Sequence, residues 1–467
     1  MKDENKDLKA DENIIDEIKA DESAESCVPE HSEQHHHTSH SHHSHHSHHG
    51  LHSGHSHHRS RHSHHRHSQK NKDNKFIAFI KSHKSVLVNI ISCTVSVALL
   101  VIMATTIDFS KKSDEKINVK DITQSTIKIE TPVFSEKISL ANNAILYYMN
   151  SDNNSGAVDT YRLFDGYKGA LNFGLPANFT YLVAGIPNGV EVVSAELELS
   201  ENSDYENPAV YKLNIEDSEI DIYNLKTGTK YYYRIKYILN NDCEVGTIGS
   251  FETEKSPRIM NIDGAVNVRD IGGWTTIDGK TVKQGLLYRG SELDGAVKAD
   301  YKLTEKGLKE MLRDLGIRFD MDLRAESENQ TGIDALGKGV KHIYYGIPMY
   351  ADIFKPEYNE AVRDLFAELS DESNYPVYMH CTYGVDRTGT ICYLLEALLG
   401  LPQDALYQDY ELSAFTSGYI NPAFNGLVEY VNTLDGATVK EKVENYLISI
   451  GVTAQEISDI REILLEN

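Results

Sequence analysis

The sequence predicts an α/β domain in its C-terminal part, a mostly parallel sheet with covering helices. An all-β sandwich, one transmembrane helix and a disordered His-rich tail precede it. Three observations lead there. From about residue 257 onward, short apolar runs alternate with amphipathic helical stretches, the pattern of parallel strands joined by crossover helices. Between 127 and 254, short alternating runs broken by Asn, Gly, Asp and Pro read as strands and turns. Residues 85–107 form a run of 23 positions without one charged side chain, long enough for a bilayer.

Composition narrows the function classes. A chain of 467 residues exceeds one ordinary domain, so several units are expected. The formal net charge of −24 and the lack of a basic stripe argue against nucleic acid as a partner. An anionic substrate must then be held by a local positive site. The five cysteines, Cys27, Cys93, Cys243, Cys381 and Cys392, share no motif spacing, so neither a disulfide framework nor a cysteine-based zinc site is expected.

Taken in order, residues 1–84 hold no apolar pattern able to build a core. The first 30 are acidic, with weak helical periodicity around Leu8, Ile14, Ile15 and Ile18. From His31 to His67 there are 19 histidines interleaved with serine. This tract reads as a solvated tail with incidental divalent-metal affinity, or as a metal buffer or pH-dependent tether. Residues 85–107 would reach roughly 35 Å as a helix and cross the membrane once. Lysines and arginines before the span favour a cytoplasmic N-terminus, leaving the C-terminal body outside the cell membrane. Residues 108–126 are a polar linker. In the sandwich, 127–254, the clearest strands are 191–199, 211–215 and 231–238. The stretch 224–235, closed by 249–253, resembles the end of a fibronectin type III module, and similar sandwiches precede the catalytic domain of purple acid phosphatases. The tyrosine run at 231–233 reads as core, or as a ligand face.

The last domain, 256–467, is read as a helix over 303–315, a strand over 317–323, a strand over 340–347, a helix over 357–369 and a strand from Val377. Helices then follow over 405–414, 424–434, 439–450 and 454–466. Ligands bind at the carboxyl ends of such strands. At one of these ends residues 377–390 read Val-Tyr-Met-His-Cys-Thr-Tyr-Gly-Val-Asp-Arg-Thr-Gly-Thr, a strand, a tight loop and a helix start. Five residues separate Cys381 from Arg387. Successive N–H groups of a loop opening a helix point into one concavity at the positive end of the helix dipole. Such a concavity favours a phosphate dianion, and a thiolate over a thiol. Arg387 can fork onto two phosphoryl oxygens, which lysine cannot copy. Cys381 is the candidate nucleophile and Thr388 the candidate donor to its sulfur as it leaves. His380 reads as orienting the loop, and Cys392 as core filler or as a resolving thiol.

His380, Cys381, Gly384, Asp386, Arg387, Thr388 and Gly389 together resemble the H-C-x-x-G-x-D-R-T-G loop of the atypical bacterial tyrosine/serine phosphatases. The resemblance extends to 267–280 (Asn-Val-Arg-Asp-Ile-Gly-Gly-Trp-Thr-Thr-Ile-Asp-Gly-Lys), to 285–291 (Gly-Leu-Leu-Tyr-Arg-Gly-Ser) and to Asp322-Leu-Arg324. It implies a metal-independent, cysteine phosphatase-like domain with no cofactor, acting on phosphorylated protein. Thr382, Tyr383, Gly384, Val385 and Gly389 complete the implied phosphate loop, and Tyr383 is its candidate substrate contact. One departure is Val385, where many members carry lysine; its lack disfavours polyphosphorylated lipids. The Trp-Pro-Asp acid loop of the common eukaryotic type is missing, since the lone Trp274 is followed by threonine. Asp386 therefore matches the family's acid/base, or is a structural carboxylate accepting loop N–H bonds. Asp322 reads as a conformational lock and Arg324 as added positive charge. Arg269 and Asp270 either frame the site's rim or pin an N-terminal segment by ion pairing.

The reading that unites these features is a membrane-anchored phosphoprotein phosphatase. A phosphoinositide or small-molecule phosphatase with the same loop is the alternative. An inactive phosphate-binding docking module is the alternative of another class.

Overall fold

The computed structural model describes residues 128–129, 132, 134, 137–150, 174–181, 183–184, 186, 188–240, 242–255, 257–329, 332, 334–417 and 421–466. The tail 1–84, the span 85–107 and the linker 108–126 lie outside them. Among the described residues no helix is long and apolar enough to cross a membrane.

The N-terminal described part is built of β1 (Lys128–Ile129), β2 (Lys137–Ile138), β3 (Ala177–Thr180), β4 (Val183–Ala184), β5 (Val192–Ser200), β6 (Ala209–Leu213), β7 (Glu219–Ile222), β8 (Lys230–Leu239) and β9 (Glu244–Thr253). Five of these form a sheet in the order β2-β9-β8-β5-β6, antiparallel except for the β2–β9 pair. Two short antiparallel ladders, β3–β7 and β1–β4, accompany it. Two of the three run tyrosines are core: Tyr231 and Tyr233, with Ile235, Tyr237 and Leu239, alternate inward along β8 and are buried, while Tyr232 lies half-buried on the other face. Phe179 of β3 packs edge-on against Tyr233 at 5.4 Å and Phe251 at 5.7 Å, so the short ladder and the sheet share one apolar core.

Between β2 and β3 lies a helix that the strand pattern does not anticipate, α1 (Asn143–Met149). The Asn142 side chain caps it, accepting from the N–H groups of Ala144 and Ile145, both at 3.0 Å. Its buried residues Ala144, Ile145 and Tyr148 join the core of the C-terminal domain, and the Tyr148 hydroxyl donates to Glu411. A second seam is polar. Asn224 and Asn261 exchange two hydrogen bonds, Thr227 and Gln284 pair, and Arg258 donates to the carbonyls of Asn224 and Leu225.

The C-terminal domain has β10 (Arg269–Asp270), β11 (Leu287–Gly290), β12 (Phe319–Asp322), β13 (Lys341–Tyr344) and β14 (Val377–His380). Their spatial order is β10-β11-β14-β12-β13, parallel throughout except β10. β14 is thus the central strand, fully buried, with Met379 paired to Arg289 on one side and Met321 on the other. The covering helices are α2 (Glu305–Lys309, continued by a π turn), α3 (Asn359–Leu369), α4 (Asp386–Leu399), α5 (Gln403–Ser417), α6 (Ala423–Thr433), α7 (Val439–Ser449) and α8 (Ala454–Leu464). α4 is apolar on nearly every face and buried almost whole, as expected of a helix packed on all sides. It stops at Gly400, whose left-handed φ of 93° closes the last turn.

Candidate active site

The loop 381–385 runs from the end of β14 into the first turn of α4. Gly384 is required twice over: its φ is +67°, and a Cβ there would stand 2.2 Å from the Gly290 carbonyl oxygen. Six consecutive carbonyls, those of residues 380 to 385, have hydrogen-bond partners in the surrounding strands, side chains and the first turn of α4. Leu323 N–H bonds His380 O at 2.8 Å, and Glu292 N–H bonds Thr382 O at 3.1 Å. His380 Nδ1 lies 3.2 Å from Cys381 O. Asn267 Nδ2 donates to Tyr383 O and Gly384 O, Arg289 Nη2 donates to Gly384 O at 2.9 Å, and Gly389 N–H closes on Val385 O. A carbonyl held in this way fixes the plane of its peptide, so the orientation of the loop amides is set by the scaffold. Val385, the residue before α4, offers no side-chain cap, which leaves the first-turn N–H groups open to an anion.

Cys381 is buried at the base of this cradle. Arg387 is half-buried; its Nη1 is fixed 2.6 Å from Glu328 Oε2, which also accepts the Ala325 N–H. Burial opposes the Arg387 charge, but Glu328 and Cys381 raise its pKa. Burial pushes Glu328 up, while Arg387 and the Ala325 N–H bring it below the usual range. The Thr388 hydroxyl is fully buried and has no hydrogen-bond partner among the described residues. Asp386 opens α4 with Oδ1 held by the Tyr350 hydroxyl and 3.4 Å from Asn421 Nδ2. Tyr350 itself adopts φ +58°, has its N–H bound to Thr390 Oγ1 at 2.7 Å, and touches the Tyr410 hydroxyl.

His380 is a loop anchor. Burial opposes its protonation, but Asp322 and Asp320 raise it to about 9, and its Nε2 lies 2.9 Å from Asp320. The imidazole is thus set between the Asp320 carboxylate, as an ion pair, and the Cys381 carbonyl. Asp322 is an ion-paired carboxylate: burial pushes it up, but His380, His342 and Arg324 hold it well below the usual carboxylate range. Arg324 departs from the expectation of an added positive charge. Its guanidinium is buried and shared among Asp322, Glu292 and Asp294 at 2.6–2.8 Å, so three carboxylates consume its charge.

Arg269 and Asp270 pin structure and do not line the rim. Arg269 is buried against Asp409, Asn267 and Ser413, and Asp270 pairs with Arg258 at 2.7 Å while accepting from Gly272 and Gly285 N–H groups. Burial pushes Asp409 up, but Arg269 and Arg289 hold it down at about 2. Cys392 is core: burial pushes its thiol up to about 12. The Val385 side chain is also buried and uncharged, so it adds no cation to the site. Only Tyr383 of the loop is exposed, at 37%.

Asp320, Asp334 and His342 have ligand-type atoms within 4.8 Å of one another. Burial opposes the His342 charge, but Asp322 and Asp320 raise its pKa.

Residues 260–466 match the family model described as "Tyrosine phosphatase family". This C-terminal domain belongs to the tyrosine phosphatase family. The chain is 27% identical over 175 residues to a provisionally named tyrosine-protein phosphatase of Cupriavidus necator, covering 32% of this chain and 61% of the relative. It is 26% identical over 199 residues to a tyrosine-protein phosphatase of Nostoc commune, covering 33% of this chain and 68% of that one. Among solved structures, the core catalytic domain of the PP-IP phosphatase SIW14 from S. cerevisiae, in complex with citrate, matches with 17% identity and a TM-score of 0.23. That match covers 34% of this chain and 80% of that one.

Four residues that shape this tyrosine phosphatase site, Glu328, Tyr350, Arg289 and Asp409, have no motif spacing relative to Cys381. Arg289 alone had a signal, lying in the 285–291 stretch that carries the family resemblance.

Proposed function

We propose that this chain is a cysteine-dependent phosphoprotein phosphatase that hydrolyses phosphotyrosine, with phosphoserine and phosphothreonine as secondary substrates. The observation that carries the reading is the loop 380–385 around Cys381, whose carbonyls are all held by hydrogen-bond partners, with Arg387 fixed beside the loop by Glu328. The cradle binds the phosphoryl oxygens, and Arg387 takes two of them through its fork. Cys381 attacks phosphorus as a thiolate, forming the S–P bond as the P–O bond to tyrosine breaks. Asp386 gives its proton to the departing oxygen, so the phenol leaves neutral. The carboxylate then takes a proton from water, whose oxygen attacks phosphorus. The S–P bond breaks, Thr388 donates a hydrogen bond to the leaving sulfur, and inorganic phosphate departs.

Buried Val385 adds no charge for a polyphosphorylated lipid, which supports the protein substrate. Cys381→Ser in the full-length protein is expected to lower turnover of p-nitrophenyl phosphate and of a phosphotyrosyl peptide at least a thousandfold while phosphate still binds. Retained turnover would refute the nucleophile, and turnover of phosphoinositides equal to that of the peptide would refute the substrate class.

The proposal extends to residues 85–107 as a single membrane span, with the N-terminus cytoplasmic and the catalytic domain external, and to a fibronectin type III-like spacer between them. Both rest on sequence pattern. Digestion of the catalytic domain by protease added to intact cells is the expected outcome; complete protection would contradict this orientation.

A further inference from the structure

Arg324, its charge shared among three carboxylates, holds a loop. Its Nη1 pairs with Glu292 at 2.6 Å and its Nη2 with Asp294 at 2.8 Å, all three side chains buried. The other Glu292 oxygen accepts the N–H groups of Val297 at 3.0 Å and Lys298 at 2.5 Å, and Asp294 accepts that of Ala296. The Glu292 N–H is itself bonded to the Thr382 carbonyl of the phosphate loop. Further bonds, Gly295 N–H to Tyr301 O and Tyr301 N–H to Lys298 O, fold 295–301 into a tight turn. Its products are two side chains set against Tyr383. The Lys298 ammonium lies 5.2 Å from the centre of the Tyr383 ring, and Tyr301 meets the same ring edge-on at 6.0 Å. Lys298 is exposed and Val297 beside it is 51% exposed.

We infer that this turn is a recognition lip, and that Lys298 reads an acidic residue flanking the phosphotyrosine of a protein substrate. The inference rests on the phosphotyrosine reading above and adds a sequence preference to it. Buried ion pairs are a poor source of net stability, since desolvation offsets most of the attraction. Fixing a backbone segment at the mouth of the cradle is a better account of Arg324, Glu292 and Asp294. A preorganised lip lowers the ordering cost of binding. The chain's charge of −24 repels acidic peptides at long range, so a local cation at the mouth is what can discriminate among them. Tyr383 offers the substrate backbone and ring a half-exposed aromatic face, and the cation beside it remains accessible to a carboxylate.

The test measures kcat/KM of the full-length protein on two phosphotyrosyl peptides that differ only in Asp or Asn next to the phosphotyrosine. The wild type is expected to favour the acidic peptide about fivefold, mostly through KM, with the preference shrinking at high salt. Lys298→Ala should bring the ratio near one, and Lys298→Glu should invert it. Glu292→Gln should reduce the preference while Lys298 is still present. A wild-type ratio near one, or one unchanged by Lys298→Glu, overturns the lip while leaving the phosphatase reading intact. A wild type that hydrolyses neither peptide overturns both.

Discussion

His380 illustrates how one residue joins loop geometry to stability. As an imidazolium it spans Asp320 and the Cys381 carbonyl, and its pKa is raised to about 9 against an ordinary value near 6.5. The folded state therefore binds this proton more tightly than the unfolded chain. The stabilisation is complete below the unfolded value and is lost as pH rises through about 9. Urea midpoints measured between pH 6 and 9.5 are expected to fall steadily, and His380→Asn should flatten that slope; an equal slope in the variant would contradict the assignment. The sequence placed His380 beside the loop, but its partners come from β12, which only the fold brings near. Asp386 shows the same limit. Its position at the helix start was legible from the loop motif, whereas its hydroxyl partner Tyr350 comes from a turn 36 residues upstream.

At the level of elements, the loop and its flanks were the most legible part of the chain. The apolar run at 377–380, the glycines and the apolar α4 follow directly from local pattern. β10 and β11 were not legible as strands. Arg269, Asp270 and Arg289 are charged residues in buried strands, tolerated because Asp409 of α5 and Arg258 neutralise them. Pairing across 120 or 140 residues leaves no local periodicity. The same buried pairs serve the site, because Arg289 bridges Asp409 and the Gly384 carbonyl. Arg289→Lys keeps the charge but cannot hold both partners. It is expected to cost about 2–3 kcal/mol of stability and to lower kcat/KM at least tenfold in the protein that remains folded. A denaturation midpoint and kcat/KM both within error of the wild type would show that the loop does not depend on this bridge.

At the scale of the molecule, the β-rich part and the catalytic domain meet through helix α1, which packs into the catalytic core, and through the polar seam around Asn224, Thr227 and Arg258. The sequence divided them near residue 255, and the strands on either side follow that division. Helix α1 crosses it: Ala144, Ile145 and Tyr148 complete the catalytic core although they precede β3 to β9. Its short, mildly apolar stretch resembles a strand in isolation, so its destination was not legible. A chain trimmed to 256–467 would expose this docking surface. It should unfold at a lower temperature than the intact protein and lose stability by an amount typical of deleting several buried apolar side chains, about 3–6 kcal/mol. Equal thermal midpoints would show that α1 adds nothing to the catalytic core.

In the proposed mechanism Cys381 carries the phosphoryl group between substrate and water. Rapid-quench capture with a substrate labelled at phosphorus tests it directly. Label is expected on the wild-type protein within one turnover, and more of it in Asp386→Asn with a substrate whose leaving group needs no proton. None should appear in Cys381→Ser. Label on Cys381→Ser, or wild-type turnover without any labelled protein, would contradict it.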